Sequence, residues 1–444
     1  MTGLLPNYCS SGHKSIKCRS HDLHMRCQYS LPVHDIKIPM TPRRPLQVAV
    51  VTETYPPEIN GVARTIKLMV EGLLLRGHHV DLVRPRQPAD AEAELKAEAQ
   101  PPRLTLRLTS GFPIPRYVNL QLGYAWPATL ERAWRDNPPD LVHIVTEGPL
   151  GWAAVQAARR LRLPLSSDFH TNFHSYTRHY GIGFMNGVFA AALRLLHNRC
   201  DCTIVPTGEM RRDLAALDFQ RLAIVGRGID TDLFSPARRS QALRNSWGCK
   251  DNDSDEPVVM FVSRIAAEKN LPLFITAAKA MRAVDPRTRI VIVGDGPGLP
   301  ALRAAHPDVV FAGMRVGEDL AAHYASADIF LFPSITETFG NVTVEALASG
   351  LAVLAYDYAS GREYITDGEN GVLAPFDDAE VFINKARWMA QSPGCLPEMR
   401  AKARTLAEQI SWEKVFDDLE QVLLAVADRA PELPIGTLIT APRG

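Results

Sequence analysis

From Pro45 onward, short β-branched runs alternate with stretches of helical periodicity. The run "LQVAVVTETYPP" reads as a buried strand stopped by proline. In "GVARTIKLMVEGLLLRGHHV", Ile66, Met69, Val70, Leu73 and Leu74 recur every three or four positions, so an amphipathic helix follows. Gly77 ends that helix and "HVDLVRP" is the next strand. "LTLRL", "DLVHIVTE", "LPLSSDF", "CTIVPT" and "LAIVGRG" continue the series. The rhythm breaks at "GIDTDLFSPARRS", and residues 240–256 are polar enough to read as a linker or exposed loop. A second series then runs through "PVVMFVSRI", "RIVIVGDGP", "VVFAG", "DIFLFPS", "LAVLAY" and "GVLAPF". Apolar strands joined by helices belong to parallel sheets covered on both faces. The pattern predicts an α/β chain with two domains, over 45–235 and 236–410. "SWEKVFDDLEQVLLAVADRA" adds a last amphipathic helix, over 411–430.

Residues 1–44 stand apart as an N-terminal extension with little apolar periodicity. They carry Cys9, Cys18 and Cys27 and several histidines, but these spacings match no common zinc-ligand pattern. The apolar core of a secretory signal is missing. The expectation is a disordered extension, or a coding start at Met40.

Composition narrows the function. Of 444 residues, 46% are hydrophobic and 22% charged, an ordinary mix for a soluble globular protein. Lysine and arginine total 49 and so do the acids, so no global field recruits nucleic acid. The seven cysteines form no CxxC pair, which fits a reducing cytoplasm. No uninterrupted apolar run is long enough to span a bilayer.

In open α/β sheets ligands bind beyond the carboxyl ends of the strands, so residues there are the functional candidates. "SRIAAEKN" places Arg264 and Lys269 beside a helix start, a pairing that suits a phosphate or diphosphate, although taken alone it reads more simply as two surface cations. "GDGPG", beginning at Gly294, is a glycine-rich strand-to-helix turn. It resembles half of a dinucleotide fingerprint without completing it, and a tight turn alone explains it equally well. In "ITETFGNVTVEALASG", Glu337 stands at a strand exit and Glu345 on the first turns of the next helix. The amides of Phe339, Gly340, Asn341 and Val342 lie at the helix mouth between them. Acid, anion site, acid is a layout for a sugar joined through a diphosphate to a nucleoside, because a carboxylate accepts two hydrogen bonds from vicinal hydroxyls. Two surface glutamates would look the same. In the first domain, "DFHTNFHSYTRHYG" sets His170 directly after a strand, with Asp168, His174 and His179 near it. No third metal ligand is evident there. "INGVAR" offers the backbone of Gly61 to a close ligand.

Together these motifs resemble the retaining glycosyltransferases of family 4, over about residues 46 to 425, and among them bacterial mannosyltransferases and glycolipid glycosyltransferases. The resemblance implies the glycosyltransferase-B architecture: two Rossmann-like domains facing across a cleft. It implies transfer of a hexose, such as mannose, from a nucleotide-sugar to an acceptor hydroxyl with retention, without a metal or other cofactor. The E-x7-E motif stands as Glu337 and Glu345, implying contacts to donor-sugar hydroxyls and to ribose. Arg264 and Lys269 match the phosphate-binding cations, "ETFGNV" the diphosphate amides, and His170 the first-domain histidine. The family commonly has two adjacent glycines where this chain has Asn60-Gly61. It implies a lipid or saccharide acceptor and a cytoplasmic enzyme, with peripheral contact to the inner membrane face through "YGIGFMNGVFAAALRLLHNRC"; a buried helix is the plainer reading of that stretch. An epimerase of the same fold, a degenerate nucleotide-sugar binder and an NAD-dependent oxidoreductase are the alternatives. "GDGPG" is the only support for the last.

Overall fold

The computed structural model of the chain describes residues 44–58, 60–87, 90, 101–113, 121–170, 183–250, 256–266 and 269–430. The first 43 residues, with Cys9, Cys18 and Cys27, lie outside the described residues, as do His174 and His179.

Two α/β lobes follow one another, as the apolar pattern predicts. The first holds eight strands: β1 Gln47–Val51, β2 His79–Pro85, β3 Leu104–Pro113, β4 Gln121–Tyr124, β5 Leu141–Ile144, β6 Leu165–Asp168, β7 Cys202–Val205 and β8 Leu222–Ile224. They lie in the order β4-β3-β2-β1-β5-β6-β7-β8. All neighbours pair in parallel except β3 and β4. The short antiparallel edge strand β4 was not foreseen, because "QLGY" carries no β-branched run.

The second lobe holds β9 Val258–Val262, β10 Arg289–Val293, β11 Val310–Gly313, β12 Ile329–Phe332, β13 Ala352–Tyr356 and β14 Val372–Ala374. They form a fully parallel sheet in the order β11-β10-β9-β12-β13-β14. β9, β12 and β13 are buried along their whole length, which is why they read as continuous apolar runs. In each sheet the order reverses at the middle strand, β1 or β9, and such reversals open the crevices that ligands use.

Residues 240–250 and Glu256 correct the linker reading, while 251–255 lie outside the described residues. Gln241–Ser246 is a short helix packed into the second lobe, followed by buried Trp247 and Cys249. Arg244 is fully buried because its guanidinium donates to Ser326 O at 2.9 Å, Asp328 Oδ2 at 3.0 Å and Glu256 O at 2.6 Å. Glu256, the last residue of that polar stretch, is also buried and pairs with Arg289 at 3.3 Å. Polar composition misled because each buried charge is answered by carbonyls or a countercharge.

The helix Trp412–Ala427 packs on the first sheet, although it follows the second lobe in sequence. Val415, Leu419, Val422, Leu423 and Val426 join Val48, Val50, Ile66 and Val80 in one core. That burial contributes on the order of 10 kcal/mol gross. Polar contacts add to it: Arg76 donates to Asp417 at 2.7 Å, and His78 Nε2 meets Glu420 at 3.2 Å.

Candidate active site

The second lobe contributes a cation, two carboxylates and a helix mouth. The helix Asn341–Ala348 follows β12 through a turn in which Gly340 has φ +92°. No side chain caps its first turn and no acid stands in it, so its mouth keeps the partial positive charge that attracts anions. Gly340 and Phe339 are fixed from behind: Ser360 Oγ donates to Gly340 O at 2.9 Å and Ser360 N to Phe339 O at 2.8 Å. The Phe339 ring is buried against Tyr364, so only its backbone can serve the cleft. Asn341 and Val342 are half-buried at the mouth.

Glu337 lies in the turn before that helix. Its Oε1 accepts from Lys269 Nζ at 2.5 Å and from Ser334 Oγ at 2.7 Å, and Lys269 also reaches Thr336 O at 3.3 Å. Lys269 and Glu337, 68 positions apart in sequence, are thus one ion pair. Beside it is a small surface hollow of about 10 Å³, whose lining includes Ser334, Glu337, Thr343, Tyr358, Ser360 and Gly361. Tyr358 OH donates to Glu337 O at 2.7 Å and holds the turn in place. Arg264 is exposed at the exit of β9. Gly294, at the exit of β10, has φ +140°, and a Cβ there would stand 1.8 Å from Ser263 O. Its glycine is therefore demanded by two strand-exit loops packing on each other.

Glu345, one turn into the helix, is buried. Burial raises its pKa, while Arg64 and the Tyr324 hydroxyl oppose the rise. Tyr324 OH donates to its Oε2 at 3.0 Å, and Arg64 Nη1 pairs with its Oε1 at 3.0 Å. Arg64 belongs to the other lobe, on the first turn of the helix Gly61–Leu75.

The first lobe meets these groups closely. A Cβ on Gly61 would lie 3.6 Å from Asn341 Nδ2, an ordinary contact, so Gly61 faces the helix mouth. Asn60, where the family commonly has a glycine, caps the helix: its side chain accepts from Ala63 N at 2.8 Å and donates to Thr54 Oγ1 at 2.8 Å. His170 reaches the second lobe through its carbonyl, which accepts from Thr338 Oγ1 at 3.1 Å. Its ring points instead to Asp168, with Nε2 3.2 Å from Oδ2. Asp168 is fully buried; burial works against its carboxylate, but His143 and His170 outweigh this and hold its pKa well below the usual range. A third bridge joins Glu209 to Arg362 and to Ala359 N.

Lys269 and Glu337, Gly61 and Asn341, and the His170 carbonyl and Thr338 are thus brought together, while Gly294 packs on the β9 exit that carries exposed Arg264, and further partners join them. Arg64, Tyr324, Thr338, Ser360 and Glu209 were not singled out from sequence. Arg64 alone had a legible signal, a cation one helical turn beyond Gly61. Among the described residues, no group of three His, Cys, Asp or Glu side chains is arranged to hold a metal ion.

A two-lobed α/β chain with this cleft matches proteins of known class. The family model "Glycosyltransferase Family 4" matches residues 59–233, and "Glycosyl transferases group 1" matches residues 256–392. The chain is 34% identical over 335 residues to a GDP-mannose-dependent alpha-mannosyltransferase of Mycobacterium tuberculosis, covering 76% of this chain and 85% of that protein. To the protein of the same name in Mycolicibacterium smegmatis it is 32% identical, covering 84% and 96%. An alpha-monoglucosyldiacylglycerol synthase of Acholeplasma laidlawii is 27% identical over 86% of this chain and 98% of its own length. Among solved structures, sucrose-phosphate synthase of Thermosynechococcus elongatus superposes with a TM-score of 0.72 at 19% identity, covering 87% of this chain and all of that one. The architecture is that of the glycosyltransferase-B enzymes. The chain belongs to family 4 of the glycosyltransferases, and it is an enzyme that uses a nucleotide-sugar.

Proposed function

We propose that the enzyme transfers mannose from GDP-mannose to an acceptor hydroxyl with retention of the anomeric configuration, and that it needs no divalent metal. The observation that carries this is the Lys269–Glu337 pair in the turn that leads into an uncapped helix mouth. Glu337 Oε1 is engaged by Lys269 and Ser334, and the carboxylate's second oxygen is the natural acceptor for a hexose hydroxyl. As the glycosidic bond breaks, charge builds on the leaving diphosphate. Lys269, Arg264 and the amides of Gly340 to Val342 stabilise it in place of a metal ion. The acceptor attacks from the face the diphosphate leaves, and the departing phosphate takes its proton. The GDP-mannose choice rests on the mycobacterial relatives, whose names specify that donor.

The acceptor is proposed to be a lipid hydroxyl, presented at a membrane surface. No helix among the described residues is long and apolar enough to cross a membrane. The helix Gly183–His197 does expose Val188, Phe189 and Leu195 next to Arg194, while burying Leu193 and Leu196. Only part of it is thus the buried helix of the plainer reading, and the outer face suits an anionic bilayer surface. The glucosyldiacylglycerol synthase relative points the same way.

The test supplies purified enzyme with GDP-mannose and vesicles of diacylglycerol or glycosyldiacylglycerol, following GDP release and the product's anomeric signal by NMR. An α-linked mannolipid, formed equally well in excess chelator, is expected. A β-linked product would overturn retention, chelator-abolished turnover would overturn the metal-free mechanism, and transfer only to soluble sugars would overturn the lipid acceptor.

A further inference from the structure

Both oxygens of Glu345, the proposed ribose ligand, have protein partners, and the two partners differ in kind. Tyr324 lies in the same lobe and is fully buried, so it is a fixed part of the site. Arg64 comes from the opposite lobe, 281 positions away in sequence, and its side chain is 44% exposed. Its guanidinium lies over the Phe234 ring, 5.5 Å from the centroid. No acid stands in the first turn of its own helix, and the next acid along, Glu71, is taken by Lys67. Glu345 is thus the countercharge that holds Arg64 in place.

We propose that Arg64 is a binding residue of the transfer site with two stations: it pairs with Glu345, and it passes to the donor's diphosphate when ribose takes Glu345. The inference rests on the nucleotide-sugar reading above. A ribose diol must approach the same buried carboxylate from the side Arg64 now covers. Glu345 loses nothing by the exchange, because two hydroxyl donors replace one guanidinium. Arg64 is exposed, so water can solvate it once it leaves Glu345, and its guanidinium is free to swing to a nearby anion. The nearest new anion is the phosphate carried by that same ribose. It would sit at the mouth of the Asn341–Ala348 helix, which Gly61, one turn before Arg64, already faces. The planar fork of arginine suits phosphate oxygens as well as a carboxylate.

Two stations give opposite signs for two ligands, which a structural role does not. Wild type, Arg64→Ala and Arg64→Lys are titrated by calorimetry with guanosine, GMP and GDP, and with the uridine and adenosine series. Arg64→Ala is expected to bind the nucleoside severalfold more tightly than wild type, since no arginine need be displaced. It is expected to bind the diphosphate at least tenfold more weakly, with Arg64→Lys between. The nucleoside gain should vanish when Glu345→Gln is added. Equal weakening for nucleoside and diphosphate would reduce Arg64 to orienting Glu345 and overturn the proposal, as would no change in either. If wild type binds no member of any series, the donor reading itself falls, an outcome distinct from a variant effect on a binding wild type.

Discussion

At the scale of single residues, the site depends on charges held in places where they are costly unless answered. Lys269 is nearly buried and meets Glu337 at 2.5 Å, so it is fixed before any donor arrives. A preorganised cation stabilises leaving-group charge without reorganising. Lys269→Ala should therefore lower kcat roughly 100- to 1,000-fold, while thermal unfolding stays cooperative; unimpaired turnover would remove Lys269 from the chemistry. Glu53, at the exit of β1, makes a second point. Burial pushes its pKa from the ordinary 4.5 up to about 7, against a hydrogen bond from Leu150 N and with Glu147 adding to the rise. The unfolded chain gives up this proton first, so stability falls as pH climbs from about 4.5 to 7 and is level above. Glu53→Gln can still accept from Leu150 N. It should raise stability at pH 8 by up to roughly 3 kcal/mol and leave it nearly unchanged at pH 4.5, as read by urea unfolding at both values.

Elements were legible where burial imposed one pattern. β9, β12 and β13, buried on both faces, announced themselves as apolar runs, and the 3.6-residue period gave the helix behind β1. Glu337 and Glu345 were legible because a strand exit, a turn and a helix follow one another within sixteen residues. Their partners were hidden, because Arg64 and Tyr324 reach Glu345 through tertiary packing that no local window contains. Arg244 shows the reverse failure, a charge whose burial only carbonyls from distant segments explain. The "GDGPG" turn was legible as glycine-dependent but not for its cause. With a Cβ 1.8 Å from Ser263 O at φ +140°, Gly294→Ala must move the β9 exit that carries Arg264. It should cost about 3 kcal/mol, visible as a lower melting temperature; an unchanged melt would show that the two loops are not in contact.

At the scale of the whole molecule, the two lobes meet at the same strand exits that carry the chemistry. Arg64–Glu345, Thr338 to the His170 carbonyl and Glu209–Arg362 all cross between them. The last helix returns to the first sheet, so the chain passes between the lobes a second time. Closing a cleft around a nucleotide-sugar excludes water that would otherwise hydrolyse it, and it sets the acceptor in line. We propose that this cleft binds a GDP-linked sugar, and calorimetric titration of the full chain with GDP, UDP and ADP decides it. GDP is expected to bind at least tenfold more tightly than UDP or ADP. A preference for UDP or ADP, or no binding of any of the three, would contradict it.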